Sequence, residues 1–289
     1  MYTLQSSQLK VKIDEKGAEL KSVIHAHHQL EYMWSGDPTV WGKTSPVLFP
    51  IVGALKENKY EYKEQTYQLP RHGFARDQLF SVINQPPNTL IFSISSDEET
   101  RKVYPFDFRF LIIYEVQDDT LSVTYQVENR GEETLFFSVG GHPAFKLPLI
   151  DGTEYEDYKL VFEKEETVRR WPISKAGLIE NEPLPLLEGT RELPLSKELF
   201  RKDAVVLKEL NSTSVKLLSD KTDHGLQFDF ECFPYLGLWA APGADFLCIE
   251  PWCGIADSVD TNQEFTSKEG IISLPAEEEF SVTWRVRFF

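Results

Sequence analysis

The sequence predicts an all-β protein, a large antiparallel β-sandwich. Three observations predict it. Apolar and polar residues alternate with period two in segment after segment, and helical periodicity is almost absent. Aromatic residues are abundant, with 20 Phe, 11 Tyr and 6 Trp among 289 residues. Alternation sends every second side chain to one face, as in a strand with one wet side. Aromatic and β-branched side chains fit a pleated, half-buried surface.

Segment 121–128 shows the pattern best. Leu121, Val123, Tyr125 and Val127 share one face, and Ser122, Thr124, Gln126 and Glu128 the other. Segment 280–288 repeats it, with Phe280, Val282, Trp284, Val286 and Phe288 inward. Segment 108–114 is apolar on both faces, as a central strand covered on both sides would be. Further strands are expected at 9–13, 19–24, 60–69, 80–84, 90–95, 134–139, 159–163, 204–209, 213–219, 225–231, 236–240, 245–250 and 270–274. They are short and bounded by Gly, Pro, Asn and Asp turn signals. Ser196–Phe200 reads as a helical turn. Segment 150–200 is rich in Pro, Glu and Lys, and reads as a long surface excursion between two sheets. Strands of similar composition resume on both sides of it, so residues 1–289 are expected to form a single domain.

The formal charge is −16. An acidic chain repels phosphate backbones and anionic lipid, so neither nucleic acid nor a membrane is an expected partner. A local cluster of Arg can still override that field for a small phosphorylated ligand. The three cysteines, Cys232, Cys248 and Cys253, are odd in number and form no C-x-x-C pair. A reducing cytoplasm therefore fits better than a disulfide framework. The N-terminus lacks the basic-then-apolar pattern of a signal peptide, and no run of about 18 apolar residues is present.

Chemistry concentrates in three segments. They are Leu69-Pro70-Arg71-His72-Gly73-Phe74-Ala75-Arg76, then Gly140-Gly141-His142-Pro143-Ala144-Phe145, then Cys248-Ile249-Glu250-Pro251-Trp252-Cys253-Gly254. Each adjoins an expected strand, where a loop can aim a side chain into a cleft. Gly73 permits an unusual turn beside His72. Glu250 ends an apolar strand, and partial desolvation there would raise its pKa and improve it as a base. Taken singly, each has a plainer reading: a turn histidine, a solvated glutamate, core aromatics.

Together, in this order and on an all-β background, the three segments resemble the aldose 1-epimerase (galactose mutarotase-like) family, and within it the LacX-like branch. The resemblance covers essentially the whole chain. It implies a β-sandwich with a cleft across one concave sheet, and interconversion of the α and β anomers of a free aldose. It implies Glu250 as general base toward the C1 hydroxyl, His142 as general acid toward the ring oxygen, and His72 as a group that binds and orients that oxygen. The ring opens, C1 rotates, and closure from the other face gives the other anomer. This chemistry requires no metal and no redox cofactor. Trp252, Phe145, Trp239 and Phe74 are candidates for the apolar face of the sugar. Arg76 and Arg71 are candidates to bond hydroxyls or to hold a phosphate.

The likeness has departures. Galactose mutarotases carry an Asn-Arg pair upstream, where this chain reads Pro50 to Asn58 with no Arg. Arg76 or Lys56 would take over its work. Their sugar-binding aspartate has no secure counterpart, with Asp223, Asp229 and Asp257 all open. The H-G-F-A-R form is also similar to the hexose-6-phosphate mutarotase branch, so an aldose phosphate stands beside a neutral aldose as substrate. A sugar-binding protein that has lost catalysis is the alternative function. A glycosidase would need two carboxylates across the bond, and only Glu250 suggests itself. His25, His27 and His28 cluster, with a wet turn the plainer reading and a metal site the other. Cys253 reads as a buried structural thiol.

Overall fold

The structure is a computed structural model that describes residues 1–84 and 86–289. Most strands belong to one large sheet. Its order is Val47–Leu48, Val139–Gly141, Phe246–Cys253, Tyr235–Trp239, Val205–Lys208, Tyr158–Trp171, Ser214–Ser219, Thr222–Asp229, Glu279–Phe288, Thr120–Asn129, Phe108–Gln117, Thr89–Ser95 and Ser81–Asn84. Ala144–Lys146 adds to Phe246–Cys253, and Leu184–Pro194 to Tyr158–Trp171. The ladders are antiparallel. Four N-terminal strands, Tyr2–Gln5, Leu9–Ile13, Leu20–His25 and Leu30–Glu31, form a second sheet.

The two ends of the large sheet pack face to face, which makes it a sandwich. Phe49, just beyond one end of the strand order, stacks on Phe110 near the other, with centroids 4.4 Å apart. Phe145, on Ala144–Lys146, meets Phe228 of the interior strand Thr222–Asp229 edge-on, with centroids 6.1 Å apart. A Cβ on Gly141 would lie 2.7 Å from the Tyr125 hydroxyl, so this crossing needs glycine. Burial follows the alternation. Leu121, Val123, Tyr125 and Val127 are buried, as are Val282, Trp284, Val286 and Phe288. Each such side chain removed from water stabilises the fold by about 1.5–3 kcal/mol.

Two expectations need correction. Segment 150–200 is not a loose excursion. It holds the 14-residue strand Tyr158–Trp171 and its partner Leu184–Pro194. The partner lies off the main order and is largely exposed, so it needs few apolar residues and tolerates Pro185 and Pro194. The register shifts around Glu166. That buried carboxylate accepts the backbone N–H of Ser212 (2.7 Å) and Asn211 (3.2 Å). Segment 60–69 is a hairpin, Lys59–Tyr62 with Gln65–Gln68, turning at Lys63 and Glu64 with φ of 50° and 62°.

Candidate active site

Glu250 lies on Phe246–Cys253, a strand buried at every position. Side chains alternate along it, so Cys248, Glu250 and Trp252 share one face. The neighbouring strand presents Gly237 opposite Glu250. A Cβ on Gly237 would meet the Trp252 ring at 2.4 Å, and one on Gly140 would meet it at 2.8 Å. The two glycines leave the space in which the indole lies.

His142 follows Val139–Gly141, which pairs on both sides, with Phe246–Cys253 and with Val47–Leu48. Its Nε2 stands 3.3 Å from Glu250 Oε2. The contact is not aligned as a hydrogen bond: Glu250 Oε2 and His142 Nδ1 are buried without a hydrogen-bond partner. Trp41 stacks on the His142 ring at 5.0 Å and 28°, and Trp239 meets it edge-on at 5.5 Å. The loop carrying Trp41 is held by Glu19, whose Oε1 accepts the N–H of Thr44 (2.5 Å) and Ser45 (3.1 Å).

His72 adopts φ of 68°, and Gly73 follows at 71°. A Cβ on Gly73 would sit 2.3 Å from the Phe49 carbonyl oxygen. This left-handed pair is held by Gly53. The His72 N–H donates to the Gly53 carbonyl (2.8 Å), and the Gly53 N–H donates to His72 Nδ1 (3.1 Å). With Nδ1 accepting, the neutral ring carries its proton on Nε2. Strain of this kind survives only where the surroundings enforce it.

These groups line a cavity of about 420 Å³. Buried His72, His142 and Glu250 form its floor, and Trp41, Trp239 and Trp252 its aromatic wall. Arg71, Arg76, Arg201 and Lys202 stand around the mouth with Asp203. Burial pushes the Glu250 carboxyl well above the usual range, opposed by Arg71 and aided by Asp203. Burial pulls His142 down to about 3, with Arg71 and Arg76 adding to it. His72 is likewise pulled well down, by burial first and then by His142 and the two arginines. The floor is therefore a set of groups that hold charge reluctantly.

The expected residues His72, His142, Glu250, Arg71, Arg76, Trp239 and Trp252 all meet here. Phe145 and Phe74 are not among the cavity walls. Phe145 pairs with Leu247, one position out of phase with Glu250, and so packs on Phe228 and Phe288 in the core. Phe74 turns away after the left-handed pair, onto Phe49, Tyr104 and Phe108. Trp41, Arg201, Lys202 and Asp203 escaped sequence reading, because none lies in a motif and three follow the misread segment 150–200. Lys56 bonds the Val259 carbonyl instead of facing the cavity, and Asp257 pairs with Lys268 at 2.9 Å. His27 and His28 lie in an exposed turn, but His25 is buried against His28.

The family model for aldose 1-epimerase matches residues 1–273. The chain belongs to the aldose 1-epimerase family. It is 35% identical over 268 residues to the plasmid-borne protein LacX of Lactococcus lactis subsp. lactis, covering 89% of each chain. The chromosomal LacX of that organism matches equally. Among solved structures, a galactose mutarotase related enzyme from Lactobacillus acidophilus superposes with a TM-score of 0.95 at 36% identity, covering 100% of this chain and 97% of that one. A galactose mutarotase-like protein from Lactobacillus casei gives 0.94 at 31% identity, covering 100% of both. Membership makes the carbohydrate class of the ligand an aldose epimerase's, and the β-rich fold is the family's own. Among the described residues no helix is long and apolar enough to cross a membrane.

Proposed function

We propose that this protein is an active aldose 1-epimerase, with Glu250 and His142 as its proton-transfer pair. The observation that carries the reading is the 3.3 Å contact of His142 Nε2 with Glu250 Oε2 on the floor of a sugar-sized cavity. Ring opening needs a proton taken from the C1 hydroxyl and one given to the ring oxygen. Two groups this close can serve both oxygens of one anomeric carbon.

Burial makes ionised Glu250 a strong base and protonated His142 a strong acid. The pair shares one proton. Its ion-pair form is the reactive tautomer: carboxylate takes the C1 proton, and imidazolium supplies the ring oxygen. Sugar hydroxyls offset the cost of holding those charges, and the Arg71 guanidinium stabilises the carboxylate while it opposes the imidazolium. Acid–base help of this kind contributes about 10²–10⁴-fold. His72, proton fixed on Nε2, donates a hydrogen bond to the ring oxygen and orients it. The indoles of Trp41, Trp239 and Trp252 cover the sugar's apolar face.

The substrate in this reading is an aldose phosphate. Four cations stand at the mouth of one cavity in a chain of net charge −16. Guanidinium groups can grip a phosphate with paired N–H donors. Polarimetry and NMR exchange test both levels, with glucose, galactose and glucose 6-phosphate as substrates. Glu250→Gln should lose about 10²–10⁴-fold in rate while still binding sugar, and His142→Asn should be severely impaired. Full activity in Glu250→Gln removes the base assignment. Equal kcat/KM for glucose and its 6-phosphate removes the phosphate.

A further inference from the structure

We propose that His142, Cys248 and Glu250 form a binding site for a soft divalent cation of the Zn²⁺ type, and that filling it silences the proton-transfer pair. Among the described residues, this is the only set that brings three ligand atoms within 4.8 Å of one another. All three residues are buried. The donors are an imidazole nitrogen, a sulfur and a carboxylate oxygen, a set that suits Zn²⁺ and disfavours the all-oxygen preferences of Mg²⁺ and Ca²⁺.

The spacing agrees. Two zinc bonds of about 2.0–2.1 Å at a tetrahedral angle place their nitrogen and oxygen roughly 3.3 Å apart. His142 Nε2 and Glu250 Oε2 already stand 3.3 Å apart. Oε2 belongs to a side chain 2% exposed and has no hydrogen-bond partner. Cys248 precedes Glu250 by two positions on one strand and shares its face. His142 and Glu250 line the cavity while Cys248 lies buried behind them, so a metal would reach the site from the cavity.

The charges balance on binding. A dication with a thiolate and a carboxylate as ligands leaves the three-ligand site neutral. Arg71 and Arg76 line the same cavity and oppose a dication, an opposition the three ligand bonds must overcome. Metal on Nε2 occupies the atom that would carry a proton to the sugar, so turnover stops. The inhibition rests on the epimerase reading; the metal site does not.

Cobalt titration of the full chain tests the site without reference to activity. Co²⁺ should give a thiolate-to-cobalt charge-transfer band in the wild type, and Zn²⁺ should abolish it by displacement. Cys232→Ser, which alters the exposed cysteine near Cys253, should keep the band. Cys248→Ser and Cys248→Ala should lose it and weaken Zn²⁺ inhibition by more than about tenfold. No band in the wild type, or a band that survives both Cys248 substitutions, overturns the proposal. A Cys248-dependent band in a protein that does not accelerate mutarotation would leave the metal site standing and sink the epimerase reading. Mutarotation without a band would do the reverse.

Discussion

His142 is neutral in its pocket because the charged ring would lose water and face two arginines. That has a consequence for stability. Its pKa falls from 6.5 unfolded to about 3 folded, so below pH 6.5 the unfolded chain binds the extra proton. The stabilising contribution is complete above that pH and is lost as pH falls toward 3. Each such imidazole can contribute a slope of up to about 1.4 kcal/mol per pH unit. Urea unfolding of wild type and His142→Asn between about pH 6.5 and pH 4 should give a shallower dependence in the variant. Identical slopes would mean that His142 is charged in the fold. At this scale the sequence was readable where chemistry needs rare neighbours. His72 beside Gly73 and His142 after Gly141 are marked by glycines that a close crossing demands. Phe145 and Phe74 were misread because adjacency in a motif does not say which face of a strand a ring takes.

The strand Phe246–Cys253 shows how an element turns sequence into a site. Its alternation puts Glu250 and Trp252 toward the cavity, with Cys248 buried on the same face, and turns Leu247 and Ile249 to the other face, in the core. Gly237 on the next strand exists to admit the Trp252 ring. Gly237→Ala should displace that indole, cost about 1–3 kcal/mol of stability and lower kcat/KM. Thermal unfolding and polarimetry would register both, and an unchanged kcat/KM would exclude Trp252 from sugar contact. Strands with one wet face were legible because burial imposes a period on them. Leu184–Pro194 was not, since an exposed strand added beside the main order need keep no period. The helix Glu98–Val103 was missed as well. Its start is fixed by Asp97 and Thr100 bonding each other's backbone, a local device in a segment without apolar periodicity.

Across the molecule, the segment that follows Phe246–Cys253 is fastened by a buried ion pair. Lys268 Nζ meets Asp257 at 2.9 Å and the Ile255 carbonyl at 2.6 Å, while Asp257 also accepts the Lys56 N–H at 2.9 Å. Three distant stretches of chain are joined there. Asp257→Asn leaves the ammonium buried without its counter-charge, which should cost roughly 3–5 kcal/mol. Chemical denaturation would detect the loss, and a change below 1 kcal/mol on the order of a surface pair would show that the lysine escapes to solvent. The sandwich itself was legible from alternation. The strand order was not, because a strand's sequence says that it needs partners and not which ones.

Glu279–Phe288 follows every other strand in the chain, yet it lies in the interior of the large sheet, between Thr222–Asp229 and Thr120–Asn129. It joins the half that carries Glu250 and His142 to the half that backs them. Bringing so remote a segment home carries a large loop-closure entropy before its contacts form, and all-β chains of this kind fold in milliseconds to seconds or slower. Until that strand arrives, two long rows of unpaired N–H and C=O groups stand open to any other chain. The molecule's hazard is thus kinetic: dilution during refolding, more than any change to the cavity, should decide how much of it reaches the working state.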